Sequence, residues 1–220
     1  MSSKKLSNTF FFIVLIIESF SRYCDCIKLD RNLLEEWLGS GINQPLLDLK
    51  NRQITSVDSN TFSGLSTLYW LSLSDNYITT IDANTFDQTP NIYYLYIFRN
   101  KLTQLDSNLF EKLVNLKELS LYENQLTTID HLHFKSLVNL EALSLSKNAI
   151  QKIEANHFEN LFNLKYLYLE ENNILSIDRS VFLGLIKLET VDLRENPISM
   201  LQSDFVKALC SSNPKCQIII

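Results

Sequence analysis

Asparagine recurs at Asn76, Asn100, Asn124, Asn148, Asn172 and Asn196, each 24 residues after the last. Around each lies the same apolar frame; the clearest copy reads LSLYENQLTTIDHLHFKSLVNL, from Leu119 to Leu140. Seven copies fill the chain from about Leu46 to Leu209. A fixed period of about 20–29 residues leaves few folds open, because one copy is too small to bury its own apolar face and must stack on its neighbours as a solenoid.

Within a copy, Leu116, Leu119, Leu121, Leu126, Ile129, Phe134 and Leu137 are the expected inward positions. Leu119 and Leu121 alternate with Glu118, Ser120 and Tyr122, and a period of two predicts a strand with one face inward. Each copy therefore adds one parallel strand, and each buried aliphatic contributes about 1.5–3 kcal/mol against the entropy of ordering the coil. The Asn column answers the sharp turn after the strand: a short side chain with both donor and acceptor can bridge successive coils. Phe62, Phe86, Phe110, Phe134, Phe158 and Phe182 fill the wider outer half.

The departures fall mostly near the ends, as expected of capping copies. Arg52 takes the Asn position of the first copy, Thr89 replaces an inward Leu in the second, and Phe205 comes one residue early in the last, although Leu209 keeps its place. Asp30 to Leu38 reads as a capped amphipathic helix, with Leu33, Leu34, Trp37 and Leu38 covering the first coil. The domain reading is a leader at 1–21, an N-terminal cap at 22–45, repeats at 46–196 and a C-terminal cap at 197–220.

The leader reading rests on Lys4 and Lys5, the apolar run Phe10–Ile17, and small Ser19 and Ser21 before Arg22. That run falls well short of the roughly 20 residues needed to span a bilayer, and no second apolar run follows, so the expected product is secreted and extracellular with no membrane span in the mature chain. Secretion permits disulfides among Cys24, Cys26, Cys210 and Cys216. Seven stacked strands separate the two pairs by roughly 30 Å, which no disulfide crosses; Cys210–Cys216 is the expected bond. Cys24 and Cys26 either close a small strained ring or link to a second chain as a disulfide-bonded dimer.

The 24-residue form, with Phe ten residues after Asn, resembles the extracellular leucine-rich repeats of Toll-like receptors, Slit-type guidance proteins and short secreted invertebrate immune proteins. The resemblance covers about 46–209. It implies an α/β solenoid: a horseshoe with a concave parallel β-sheet and short helical or irregular convex segments. It also implies recognition without naming a ligand. Such proteins commonly carry four-cysteine caps, whereas each end here has two cysteines.

Function must then be sought in what varies on the concave face. Three outward rows run Leu46, Trp70, Tyr94, Glu118, Ala142, Tyr166, Thr190; then Asp48, Ser72, Tyr96, Ser120, Ser144, Tyr168, Asp192; then Lys50, Ser74, Phe98, Tyr122, Ser146, Glu170, Arg194. Trp70, Tyr94, Tyr96, Phe98 and Tyr122 cluster on copies two to four, Tyr166 and Tyr168 on copy six, and copy five is nearly bare. Exposed aromatics mark interaction sites and serve as binding anchors, although aromatics also suit strands for their own sake. Asp75, Glu118, Glu123, Glu170 and Glu171 flank the patch and suit a basic partner.

A second column, Asp58, Asp82, Asp106, Asp130, Glu154 and Asp178, reads as caps of the turn leading to Phe, with stacked calcium-binding carboxylates as the alternative. His133 and His157 occupy equivalent positions beside His131; outer-surface filler is the first reading and a zinc or copper site the second. No cofactor or metal is expected. No nucleophile elbow, phosphate-cradling loop or HExxH occurs in the sequence, so an enzyme is not expected either. With 20 Lys and Arg against 25 Asp and Glu and no basic run, a nucleic-acid partner is disfavoured. The leading reading is a secreted module that binds a protein, or a microbial surface molecule, across its concave face. The alternatives are a structural extracellular-matrix or assembly component, and the ectodomain fragment of a receptor.

Overall fold

The computed structural model describes residues 26–178, 180–182, 184–198 and 215–220. In chain order its elements are β1 (Ile27–Leu29), α1 (Arg31–Leu38), β2 (Leu46–Asp48), β3 (Ile54–Val57), β4 (Trp70–Ser72), β5 (Thr80–Ile81), β6 (Tyr94–Tyr96), β7 (Glu118–Ser120), α2 (His131–Phe134), β8 (Ala142–Ser144), β9 (Lys152–Ile153), β10 (Tyr166–Tyr168), β11 (Ser176–Ile177), β12 (Thr190–Asp192) and β13 (Gln217–Ile219). The chain forms a parallel β-solenoid of about seven turns with little helix.

One eight-stranded sheet, ordered β13-β12-β10-β8-β7-β6-β4-β2, lines the concave side. Its register is the 24-residue period: Leu71 pairs with Leu95, Leu95 with Leu119, Leu119 with Leu143 and Leu143 with Leu167. The inward alternation places these leucines at 0% exposure. Beneath them Phe62 stacks on Phe86 at 5.9 Å, Phe86 on Phe110 at 6.3 Å and Phe134 on Phe158 at 6.3 Å, two runs of aromatic packing that only stacked coils supply.

The Asn column bridges coils as its chemistry predicts. Asn124 Nδ2 donates to Leu121 O at 3.1 Å in its own coil and to Ile97 O at 3.0 Å in the preceding one. Its Oδ1 accepts from Leu102 N at 3.1 Å. Asn76, Asn100, Asn148, Asn172 and Asn196 repeat the pattern. The residue before each Asn is left-handed: Asp75, Arg99, Glu123, Lys147, Glu171 and Glu195 all have φ between 52° and 55°. Thr89, inward where its neighbours carry Leu, is fully buried and satisfies its hydroxyl on Phe86 O at 3.0 Å.

The caps hold more strand than expected. Asp30 does cap α1, accepting from Leu33 N at 2.8 Å, and the helix ends at Gly39, whose φ of 90° suits a residue without Cβ. Arg52, the odd residue of the first copy, lies over Trp37 of this cap at 5.3 Å. Before the helix, β1 pairs with β3, and β3 with β5, in a second parallel sheet. At the other end β13 pairs with β12 and adds an eighth strand to the concave sheet. The convex segments are mostly turns and two-residue strands; α2 is the one convex helix among the described residues. The leader, Cys24, Phe205, Leu209 and Cys210 lie outside the described residues.

Candidate functional site

The first two concave rows form in the predicted register. Leu46, Trp70, Tyr94, Glu118, Ala142, Tyr166 and Thr190 are successive strand partners, as are Asp48, Ser72, Tyr96, Ser120, Ser144, Tyr168 and Asp192. The seven aromatics named from the sequence are all half-buried, so they rest on the sheet and on one another. Trp70 meets Tyr96 edge-on at 5.7 Å, and Tyr96 meets Phe98 at 6.3 Å.

A cavity of about 410 Å³ opens on this face, walled by Tyr96, Phe98, Tyr122 and Tyr168 and floored by Ser120, Ala142 and Ser144. The two aromatic groups read separately from the sequence are thus opposite walls of one pocket. Copy five, bare in the sequence, is its floor. Tyr96 and Tyr168 stand three strand spacings apart, roughly 14 Å, with only serines between them in that row. Trp70, Tyr94 and Tyr166 do not line it. Trp70 supports Tyr96 from behind, and the Tyr166 hydroxyl donates to Glu189 Oε2 at 3.0 Å instead.

The electrostatics differ from the sequence reading. Asp75 and Glu123 are both bridged by Arg99, at 3.5 and 3.2 Å, and Glu171 pairs with Lys147 at 3.4 Å. These acids are internally compensated because opposite charges alternate along the left-handed column from Asp75 to Glu171. Arg99 lies 5.9 Å and Lys147 5.5 Å from the Tyr122 ring, which fixes the pocket rim. Glu170 accepts from the Ser146 hydroxyl. Glu118 lines the pocket, and among the described residues it has no cationic partner. Burial first, and then the Glu118 charge, push the hydroxyl of neighbouring Tyr96 up to about 12. Tyr96 therefore stays protonated and can donate to Glu118.

The other candidates resolve into structural parts. Asp106, Asp130 and Asp178 each accept a backbone N–H two residues on, at 2.8–2.9 Å, which is capping. His133 and His157 are buried, not surface filler, and each Nδ1 accepts the backbone N–H of the capping residue, from Asp130 at 2.9 Å and Glu154 at 3.2 Å. Burial lowers both imidazoles from their ordinary value. Among the described residues no three His, Cys, Asp or Glu come together as a metal site. Cys26 is a free, exposed thiol, and Cys24 lies outside the described residues. Cys216 is disulfide-bonded, with its partner outside the described residues.

A second asparagine column went unread in the sequence. Asn91, Asn115, Asn139 and Asn163, again 24 apart, each donate to the backbone of the preceding coil, at 2.7–3.1 Å. The Asn one residue before an inward Leu or Ile, as in Val114-Asn115-Leu116 and Phe162-Asn163-Leu164, carried the signal.

The family model for leucine-rich repeats matches residues 46–102, 90–150, 115–174 and 162–207. The chain belongs to the leucine-rich-repeat family. Domains of this family commonly serve protein binding or recognition. No curated protein matches the chain. Among solved structures, the TLR13–ssRNA13 complex is similar over 89% of this chain at 30% identity and a TM-score of 0.75. A Leptospira interrogans leucine-rich-repeat protein, LIC12759, is similar over 76% at 25% identity and a TM-score of 0.61. The chain spans 26% of the TLR13 chain and 46% of the Leptospira chain. The repeat family accounts for the core, the Asn column and the sheet; the pocket is assembled from residues that the repeat leaves variable. Among the described residues no helix is long and apolar enough to cross a membrane.

Proposed function

We propose that this chain is a secreted recognition module that takes a cationic side chain of a protein partner into the concave pocket. The observation that carries the reading is the composition of that pocket: aromatic walls at Tyr96, Phe98, Tyr122 and Tyr168 with the carboxylate of Glu118 and with Arg99, whose charge is taken up by Asp75 and Glu123. Aromatic faces attract cations, more strongly as the site is desolvated, and a carboxylate lacking its own cation favours an arginine or lysine arriving from outside. In this reading the chain binds and does not catalyse. The TLR13 neighbour was solved with single-stranded RNA. A net charge of −5 and a carboxylate inside the pocket favour a basic protein ligand over a phosphate backbone here. A second reading, an assembly component cross-linked through its N-terminal cap, is favoured by the exposed Cys26 thiol.

The test is binding to immobilised peptides bearing one arginine, one lysine or one glutamate in an otherwise identical neutral frame. The intact protein retains the basic peptides, and Ser144→Trp, which fills the floor, abolishes retention without lowering the melting temperature. Equal retention of the glutamate peptide, or full retention by Ser144→Trp, discards the site. Retention of single-stranded RNA in its place supports a nucleic-acid ligand.

A further inference from the structure

The flank where the chain enters each concave strand carries an apolar column of the same period. Val114, Val138, Phe162 and Ile186 are 44%, 39%, 50% and 75% exposed. Stacked coils make this a ridge roughly 14 Å long, and exposed apolar patches of this kind mark protein contacts. Three residues on runs a second column, Lys117, Glu141, Lys165 and Glu189, whose sign alternates. Within the chain Glu141 pairs with Lys165 at 2.6 Å and with Lys117 at 3.8 Å. The two columns are neighbours on the surface, since Ile186 borders one depression of about 200 Å³ with Lys165 and Glu189.

We propose that this flank binds a second copy of the chain, antiparallel, about a two-fold axis between the Val138 and Phe162 coils. Two features of the columns specify that partner. An antiparallel two-fold sets each column against its own reverse, as an isologous contact requires. Reversal inverts every charge: Lys117 meets Glu189 of the second copy, and Glu141 meets its Lys165. The apolar column reverses equally well, with small against large, Val138 facing Phe162 and Val114 facing Ile186. Slipping by one coil puts Glu141 against Glu141 and Lys117 against Lys165, and like charges opposed in an interface are strongly disfavoured; slipping by two restores opposite signs but leaves only half of each column in contact. The inference rests on the two flank columns and not on the ligand proposed for the concave pocket.

The test is sedimentation of the full chain as secreted, with free thiols alkylated so that Cys26 forms no cross-link. The wild type sediments as a dimer that a denaturing non-reducing gel shows to be non-covalent. Phe162→Asp sediments as a monomer with the wild-type melting curve. Glu141→Lys and Lys165→Glu each weaken association by about tenfold or more, and the double exchange restores it, although the exchange leaves like charges adjacent within each chain. Glu141 and Lys165 also pair within the chain, so restoration is read together with the melting curves: single variants that melt as wild type yet associate more weakly place the lost charge match between copies. A monomer at every concentration up to the hundred-micromolar range overturns the proposal. A double exchange that folds but stays as weak as the singles overturns the register and the proposal with it.

Discussion

Asn124 and Asn139 belong to the same coil, recur at the same 24-residue period and both donate to the preceding coil, yet they work in opposite surroundings. Asn124 is buried and satisfies three backbone groups, at Leu102, Ile97 and Leu121. Asn139 is exposed and makes one bond, to Val114 O at 2.8 Å. Periodicity shows that a residue is repeated; burial decides what its loss costs, because a buried backbone group cannot turn to water. The largest effect should therefore come from Asn124→Leu. It strands the buried Leu102 N–H, while Ile97 O and Leu121 O keep one donor each, from Asn100 and Asn148, so the loss is about 1–3 kcal/mol. Urea denaturation measures it, and a midpoint within error of wild type would sink the ladder as the main polar support of the coil.

The same contrast separates what could be read in the sequence from what could not. Leu119, Leu121, Asn124 and Phe134 declare themselves because burial constrains their type in every coil. The concave rows followed from alternation alone, so Tyr96, Tyr122 and Tyr168 were placed on the right face. Their meeting in one pocket was not legible, because it depends on Ala142 and Ser144 being small, and an absence of side chain looks like an absence of information. The compensation of Asp75, Glu123 and Glu171 was written in the alternating signs of one column, but it shows only when that column is read apart from its neighbours. Glu123 and Lys147 give no hint of a left-handed backbone, which Asn51 or Asp75 would suggest. The pairing of Gln217–Ile219 with β12 has no repeat signature at all; it follows from an open sheet edge that a nearby apolar segment can extend.

A second pair sharpens the point within one turn of α2. His131 is half-buried and outside this contact, whereas His133 is 8% exposed and accepts the Asp130 N–H. His133→Ala should cost about 1–2 kcal/mol, as the loss of a capping partner does, and His131→Ala next to nothing. His133→Gln keeps an acceptor of the right reach. It also removes a titration. Burial lowers His133 and His157 from their ordinary value, so the unfolded chain binds more protons as acid is added. The stability they contribute is complete above about pH 6.5 and is lost as the pH falls through the lowered values. Melting temperatures should decline on that side of neutrality before the carboxylates titrate near pH 4.5 and below. In the His133→Gln, His157→Gln double variant the decline between about pH 6.5 and 5 should flatten. An unchanged slope would assign it to other groups.

The left-handed column offers a gain in place of a loss. Glu123 has φ 54°, a region that costs a residue with Cβ about 1–2 kcal/mol. Glu123→Gly removes that strain while Arg99 keeps Asp75 as its partner at 3.5 Å. The variant should be more stable by about 1 kcal/mol, less whatever the added freedom of the unfolded chain takes back. A destabilised Glu123→Gly would mean that the alternating charges outweigh the backbone strain. The left-handed column would then belong with the ladder as a support rather than a burden.

Asn139→Ala is the smallest expected effect and the control for all the others. Its amide donates at an exposed position, so water replaces the lost bond at Val114 O, and the cost should stay within about 0.5 kcal/mol. If Asn139→Ala instead approached the effect of Asn124→Leu, burial would not be what divides the two columns. Exposed coil-to-coil bonds would then have to act together along the stack, so that breaking one loosens its neighbours. The triple change Asn115→Ala, Asn139→Ala, Asn163→Ala separates these cases: independent bonds give about three times the single effect, and a coupled column gives clearly more.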